Sequence, residues 1–445
     1  MKQRFELPSR AKLEPWVHEA LAGARAAGAT QADAGVAVSR GLSLTVRKGE
    51  VESVEFHHDR ELSVEVYFGQ RSGSASTADL TRRGLAQALD AACAIAKASG
   101  EDPCAGLPDA DRMAKDFPDL DLDHAWEMTT EEAIERAREC EAAALAVPGV
   151  TQSEGASLHS SRSIDLYGNS HGFLGERRGA SHYISCAAIA ARDDEMQRDD
   201  WYTAARHPGE LEAPAAVGRK AGARAVARLG SRPLSTRQAP VLFVPDLARG
   251  LFGHFIGAIS GGALYRKASF LLDKAGQAVF APLVTLTQRP FIPRAAASAA
   301  FDNEGVATAE RVLVDAGVLQ GYVLSSYSAR KLGLQTTGNA GGVYNLVADG
   351  GTQDFDSLVK AMGEGLVVTE LLGQGVNTVT GDYSRGAAGF WVENGAIAHP
   401  VEEVTIAGNL VDMFRNIKAI GSDVDARGGI RTGSVLIEPM TIAGR

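Results

Sequence analysis

The chain changes character between Gly230 and Pro240. Residues 1–239 carry 65 charged side chains, whereas residues 240–445 carry 35. Glycine moves the other way, from 20 residues before the break to 29 after it. The stretch Gly230-Ser231-Arg232-Pro233-Leu234-Ser235-Thr236-Arg237-Gln238-Ala239-Pro240 is rich in turn formers and has no apolar period, so it reads as a linker. A domain boundary is placed there, between a charged first half and a glycine-rich second half. Glycine at that density, without a collagen period, supplies turns and bulges to short strands.

Apolar periodicity divides the first half. A helix is expected over Leu13–Ala27 and another over Leu80–Ala98, with Leu85, Leu89, Ala92 and Ile95 on one face. Between them, Leu42–Val46, Val51–Phe56 and Leu62–Tyr67 read as three strands, with His57-His58-Asp59 in a turn joining two of them. A further helix starts at Thr129, where Thr129 and Glu132 fit a capping box, and stops before Pro148-Gly149. Strands follow at Ser163–Tyr167 and His182–Ile189. Pro214 opens a helix that ends near Leu229. Helix, strands, helix thus occurs twice.

In the second half a helix is expected from Asp246 to Ile259, ended by a turn at Ser260-Gly261-Gly262. Short strands follow at Gly305–Val314, Gly317–Leu324, Gly389–Val392 and Ser434–Ile437. Asn394-Gly395 and Asp315-Ala316-Gly317 mark hairpins. The expected fold is α+β: two helix-and-strand units, 1–120 and 121–230, then a strand-rich domain, 240–445, with curved antiparallel sheets or a barrel.

The net charge of −10 argues against nucleic acid or anionic lipid as a partner. No apolar run reaches the length of a transmembrane helix. The opening Met1-Lys2-Gln3-Arg4-Phe5-Glu6-Leu7-Pro8 lacks the apolar stretch of a signal peptide, so a cytoplasmic location is expected. Cys93, Cys104, Cys140 and Cys186 show no CxxC spacing and read as free thiols. There is no P-loop, no G-x-S-x-G elbow and no His-Glu-x-x-His helix. His18-Glu19 has no following histidine, so His18 reads as a solvated or packed side chain.

The stretch Gly250-Leu251-Phe252-Gly253-His254-Phe255-Ile256-Gly257-Ala258-Ile259-Ser260-Gly261-Gly262 resembles the PmbA/TldE branch of the TldD/PmbA family, whose members have been called modulators of DNA gyrase and linked to proteolysis. Further resemblances lie at Arg47–Glu52, Gly73–Ser76 and Asp102–Gly106. Others lie at Asp302-Asn303-Glu304-Gly305, Thr337–Gly342 and Gly381–Ala387. Together they span almost the whole chain. The resemblance implies a TldD-like branch with His-Glu-x-x-x-His on the helix opening the C-terminal domain and a cysteine near the C-terminus. The two histidines and the cysteine hold zinc there, and the glutamate is the general base.

By that resemblance, the two histidine positions here are Gly253 and Ala258, and the glutamate position is His254. No cysteine follows Cys186. Gly and Ala have no donor atoms. No metal or cofactor is therefore expected in this chain, and zinc is expected in a TldD-like partner. The small residues Gly253, Gly257 and Ala258 suit close helix packing, while His254 remains the one catalytic candidate on the helix. Gly338, Asn339, Asp382 and Arg385 are candidates for a peptide groove; Asp382 and Arg385 are also placed to pair with each other. The resemblance implies a homo- or heterodimer acting on unfolded peptides. Two alternatives stay open. One is a self-standing peptidase using His254, Asp302, Glu304 or Asp382. The other is a non-catalytic adaptor of gyrase-linked toxin systems.

Overall fold

The structure, a computed structural model, describes residues 5–444. Met1 to Arg4, on which part of the leader reading rests, lie outside the described residues. Two series of helix, three strands and helix build the first half. The first is α1 (Arg10–Ala26), β1 (Gln31–Arg47), β2 (Glu50–Phe68), β3 (Arg71–Thr77) and α2 (Arg82–Ala98). The second is α3 (Thr130–Leu145), β4 (Val150–Asn169), β5 (Leu174–Arg192), β6 (Glu195–Ala205) and α4 (Pro214–Ala227). The Thr129–Glu132 capping box is present at the start of α3, and Pro214 sits in the first turn of α4.

The two series share one antiparallel sheet in the order β3-β2-β1-β4-β5-β6. β1 and β4 pair at its centre, from Asp33 opposite Asn169 to Val46 opposite Ala156. At about 3.3 Å per residue, strands this long outrun any single helix pair. One strand therefore serves two cores. Ala32, Ala34, Val36 and Val38 of β1 pack under α1 and α2, and Leu42, Leu44 and Val46 pack under α3 and α4. All seven are even-numbered, so both helix pairs cover the same face of the sheet.

The three short strands expected between the first two helices are in fact two long ones. Val51–Phe56 and Leu62–Tyr67 both lie in β2, and His57-His58-Asp59 is mid-strand instead of a turn. The alternation fades there because β3 pairs only with Leu62–Phe68, leaving the first part of β2 as a polar sheet edge. His57 Nε2 lies 2.8 Å from Ser43 Oγ on β1.

α3 and α4 meet through glycine. A Cβ at Gly218 would overlap the carbonyl oxygen of Cys140, and one at Gly222 would lie 2.9 Å from the Ala144 carbonyl oxygen. Gly218→Ala must push the helices apart and is expected to destabilise the protein by about 1–3 kcal/mol. A urea titration that leaves the unfolding midpoint unmoved would contradict this close approach. All four cysteines are free, and Cys140 and Cys186 are buried in this core.

The second half opens with β7 (Arg237–Phe243), α5 (Pro245–Ala258) and α6 (Gly261–Tyr265). Then come β8 (Leu286–Gln288), β9 (Arg311–Asp315), β10 (Val318–Leu319), α7 (Ser326–Lys331), β11 (Leu346–Ala348) and α8 (Phe355–Met362). The chain ends with β12 (Gly365–Leu372), β13 (Asp382–Glu393), β14 (Ala396–Asn409), α9 (Leu410–Arg415), β15 (Ile417–Ile420), β16 (Ile430–Arg431) and β17 (Val435–Ala443). The main sheet runs β14-β13-β12-β7-β17-β15, and β14 also pairs with β17. That extra pairing closes five strands into a ring, which removes its open edges. Val241, Phe243, Leu366, Val368 and Ile437 share a core with Leu251, Phe252 and Phe255 of α5. Their neighbours Leu242, Val367 and Leu436 face the other way, onto α8.

Three expectations change here. Gly305–Val314 is strand only from Arg311, because Asp302 holds residues 302–306 in a loop through its backbone hydrogen bonds. Only Val318–Leu319 of Gly317–Leu324 is strand. Ser260-Gly261-Gly262 is not a closing turn: Ser260 precedes α6, and neither glycine has a positive φ. The Asn394-Gly395 hairpin is as expected, with φ of 52° and 74°. No helix among the described residues is long and apolar enough to cross a membrane.

Candidate functional site

Val244-Pro245 starts α5, where proline costs no hydrogen bond. Leu251, Phe252, Phe255 and Ala258 form its buried face. Gly250, Gly253, His254 and Gly257, at spacings of three and four, form another stripe. The expected close approach of a second backbone to this stripe is not present among the described residues. A Cβ at Gly250 or Gly257 would meet nothing within 4 Å, and one at Gly253 would meet only Ile430 Cδ1 at 4.0 Å. The glycines leave this face open because the elements around α5 pack on its apolar side.

β13 brings Tyr383 and Arg385 to this helix. The two are alternate residues of one strand and so share a face. Tyr383 lies edge-on to His254, with ring centroids 6.2 Å apart. Tyr383 is only 2% exposed, and its hydroxyl has no hydrogen-bond partner. Burial pushes that phenol up to about 12. Burial and the positive Arg385 hold His254 below its usual pKa, so its imidazole is neutral near pH 7. Arg385 Nε is enclosed without a partner, and no carboxylate pairs with this side chain among the described residues. The group thus offers a guanidinium, a neutral imidazole and a bare phenol. It can hold a polar or negatively charged group, but it lacks a nucleophile paired with a base.

The expected Asp382–Arg385 pair does not form. Three residues apart on a strand, they point to opposite faces. Asp382 instead accepts from Thr380 Oγ1 at 2.6 Å and Asn409 Nδ2 at 3.2 Å. Asn339 is buried, with its amide donating to Gln288 Oε1 and the Gly342 carbonyl and accepting from Arg311 and Thr337. It shapes its loop. Gly338, at φ 66°, lines a cavity of about 960 Å³ with Arg112, Phe117, Phe291 and Thr337. Asp302 is fully buried and accepts from three backbone N–H groups. Glu304 accepts from the Ser326 N–H. The candidates therefore fall in separate groups: Asp302 meets Glu304 and the loop that carries Gly338 and Asn339, and His254 meets Arg385 beside α5.

Zinc needs three protein donors and an open position at a catalytic site. Gly253 and Ala258 supply none, and no group of three or more His, Cys, Asp or Glu is placed to hold a metal ion among the described residues. The residues around α5 do not fit a zinc ion.

A cluster that sequence reading missed anchors the start of α5. Arg427 donates to Asp246 Oδ1 at 2.6 Å, to Asp425 Oδ1 at 2.9 Å and to the Tyr202 carbonyl at 2.7 Å. Its guanidinium lies over the rings of Trp201 and Tyr202, 4.3 and 4.1 Å from their centroids. Asp246 on α5 is thereby tied to β6 of the first half. The local signals were Asp246 in a helix's first turn and the Asp425-Ala426-Arg427 triplet.

A closed strand ring with α5 in its core, joined to a long two-series sheet, defines a class of metallopeptidase-related proteins. Three family models match in series: PmbA/TldA metallopeptidase domain 1 over residues 32–96, the central domain over 123–229 and the C-terminal domain over 236–444. The chain belongs to the PmbA/TldD metallopeptidase family. It is 47% identical to Metalloprotease PmbA of Escherichia coli O157:H7 over 415 residues, 93% of this chain and 92% of that one. It is 46% identical to the PmbA homolog of Haemophilus influenzae, with the same coverage. The crystal structure of a candidate DNA gyrase modulator from Bacteroides thetaiotaomicron superposes with a TM-score of 0.92 at 27% identity, covering 98% of this chain and 99% of that one. TldE from Thermococcus kodakarensis shares the fold, with a TM-score of 0.85 at 20% identity over 96% of this chain and 99% of that one.

Proposed function

We propose that this chain is the TldE-like subunit of a two-component cytoplasmic metallopeptidase that processes unfolded peptides. A TldD-like partner supplies zinc and the general base, and this chain encloses and shapes the shared site. The observation that carries this reading is α5, where Gly253 and Ala258 stand at the positions the resemblance assigns to zinc-binding histidines. The open stripe beside them leaves room for a partner or substrate, and Arg385, His254 and Tyr383 offer polar contacts to it.

The test is to purify the chain alone and together with a TldD-like chain. Metal content and cleavage of an unfolded peptide are measured in both. We expect no stoichiometric zinc and no cleavage from the chain alone, and chelator-sensitive cleavage from the pair. Stoichiometric zinc and chelator-sensitive cleavage by the chain alone would overturn the proposal. That result would favour the self-standing reading, which the metalloprotease names of the curated relatives support.

A further inference from the structure

A cavity of about 410 Å³ lies where the first-half sheet meets the second half, and four arginines line it: Arg206, Arg294, Arg427 and Arg431, with Glu210. Two of the four are neutralised. Arg294 pairs with Asp121 at 2.5 Å and Glu210 at 2.7 Å. Arg427 pairs with Asp246 and Asp425.

The other two have no counter-charge among the described residues. Arg206 donates only to the carbonyls of Ala180, at 3.0 Å, and Ala296, at 2.6 Å. Those bonds fix the guanidinium without neutralising it. Arg431 is half-buried, and its enclosed Nε has no partner. Burial pulls the pKa of both below the usual arginine value, the sign of cations held partly out of water without an anion.

Arginine forks match planar oxyanions with two parallel N–H bonds. The cavity is large enough for a small ligand group but not for a folded partner. It is linked to α5 through Arg427, which lines the cavity and binds the first turn of the helix.

We propose that this cavity holds a peptide carboxylate, bound by Arg431 and Arg206. This rests on the reading of the chain as a peptide-handling subunit. The carboxylate is either the peptide's C-terminus or an Asp or Glu side chain. Arg206, pinned by two carbonyls, fixes the direction of approach, and the uncommitted Arg431 closes on the ligand.

Fluorescence anisotropy tests this with the full chain, alone and in complex with a TldD-like chain. Three labelled unstructured peptides are compared: a free C-terminal acid, its C-terminal amide, and the amide with one internal Glu. The free acid, the Glu-bearing amide or both should bind about tenfold more tightly than the plain amide, the value of one good charge-assisted contact. Which of them does so identifies the source of the carboxylate. Arg431→Gln should abolish that preference. It should not lower the thermal midpoint appreciably, because among the described residues the Arg431 side chain makes no hydrogen bond or ion pair for the substitution to remove. Equal binding of all three peptides overturns the carboxylate site and leaves the peptide-handling reading standing. A preference that survives in Arg431→Gln also overturns the site. No binding of any peptide, by the chain or the complex, overturns the underlying reading.

Discussion

Arg427→Ala is expected to destabilise the protein by about 3–5 kcal/mol, the cost of leaving buried partners of an ion pair uncompensated. The side chains involved are well enclosed: Arg427 is 15% exposed and Asp425 7%. Removing the guanidinium strands Asp425 and Asp246 beside one another and uncovers the faces of Trp201 and Tyr202. Burial pushes the Asp425 carboxyl up, but hydrogen bonds from the Arg427 guanidinium and backbone N–H, with the guanidinium's charge, more than offset this and hold it below the usual range. Arg249 keeps a contact to each carboxylate, at 3.2 Å to Asp246 and 3.5 Å to Asp425, so some compensation survives. Arg427→Lys should recover part of the loss, since it restores the charge but not the planar fork or the stacking. Urea unfolding of the three proteins checks this. A loss under about 1 kcal/mol for the alanine variant would mean the cluster behaves like a surface pair. Because the cluster joins β6 to α5, proteolysis near the 230–237 connection should also accelerate.

Local chemistry was legible in the sequence, and pairing across the fold was not. The Thr129–Glu132 capping box, Pro214 and the Asn394-Gly395 turn follow rules that span four residues or fewer, and each forms as read. α5 was placed to within a residue at each end for the same reason. β2 was split because its first part is a polar edge whose neighbour ends early, and neighbours are a property of the fold. The Gly305–Glu310 stretch has strand-like composition, but a buried carboxylate three residues upstream holds it in a loop. The candidate site divides the same way. That residues 253 and 258 carry no donor atom is readable from residue type alone. That Tyr383 and Arg385 face His254 depends on 128 residues of intervening chain returning to the ring at β13, which no local pattern encodes.

Asp302 should show the second large effect, with a pH dependence of definite sign. Its Oδ1 accepts from the N–H groups of Glu304 and Val306, and its Oδ2 from that of Ala340, all at 2.9 Å. Asp302→Ala leaves three donors unpaired where Asp302 itself is fully buried, at an expected cost of about 3 kcal/mol or more. Asp302→Asn keeps the oxygen that serves Glu304 and Val306 but turns an N–H toward the Ala340 N–H. It should cost less and loosen mainly the Thr337–Gly342 loop, readable as faster amide exchange there. Burial pushes the Asp302 carboxyl up to about 6 against those donors, with Glu304 adding to the rise. A carboxyl raised in the folded state binds its proton more tightly there than in the unfolded chain, where its pKa is about 3.9. Its contribution is therefore full below about pH 4 and lost as pH rises through about 6, a change of about 3 kcal/mol. The stability of the native protein relative to Asp302→Asn should fall across that window and level off above it. Flat relative stability from pH 4 to 7 would mean the three N–H donors win and the carboxylate stays ionised throughout.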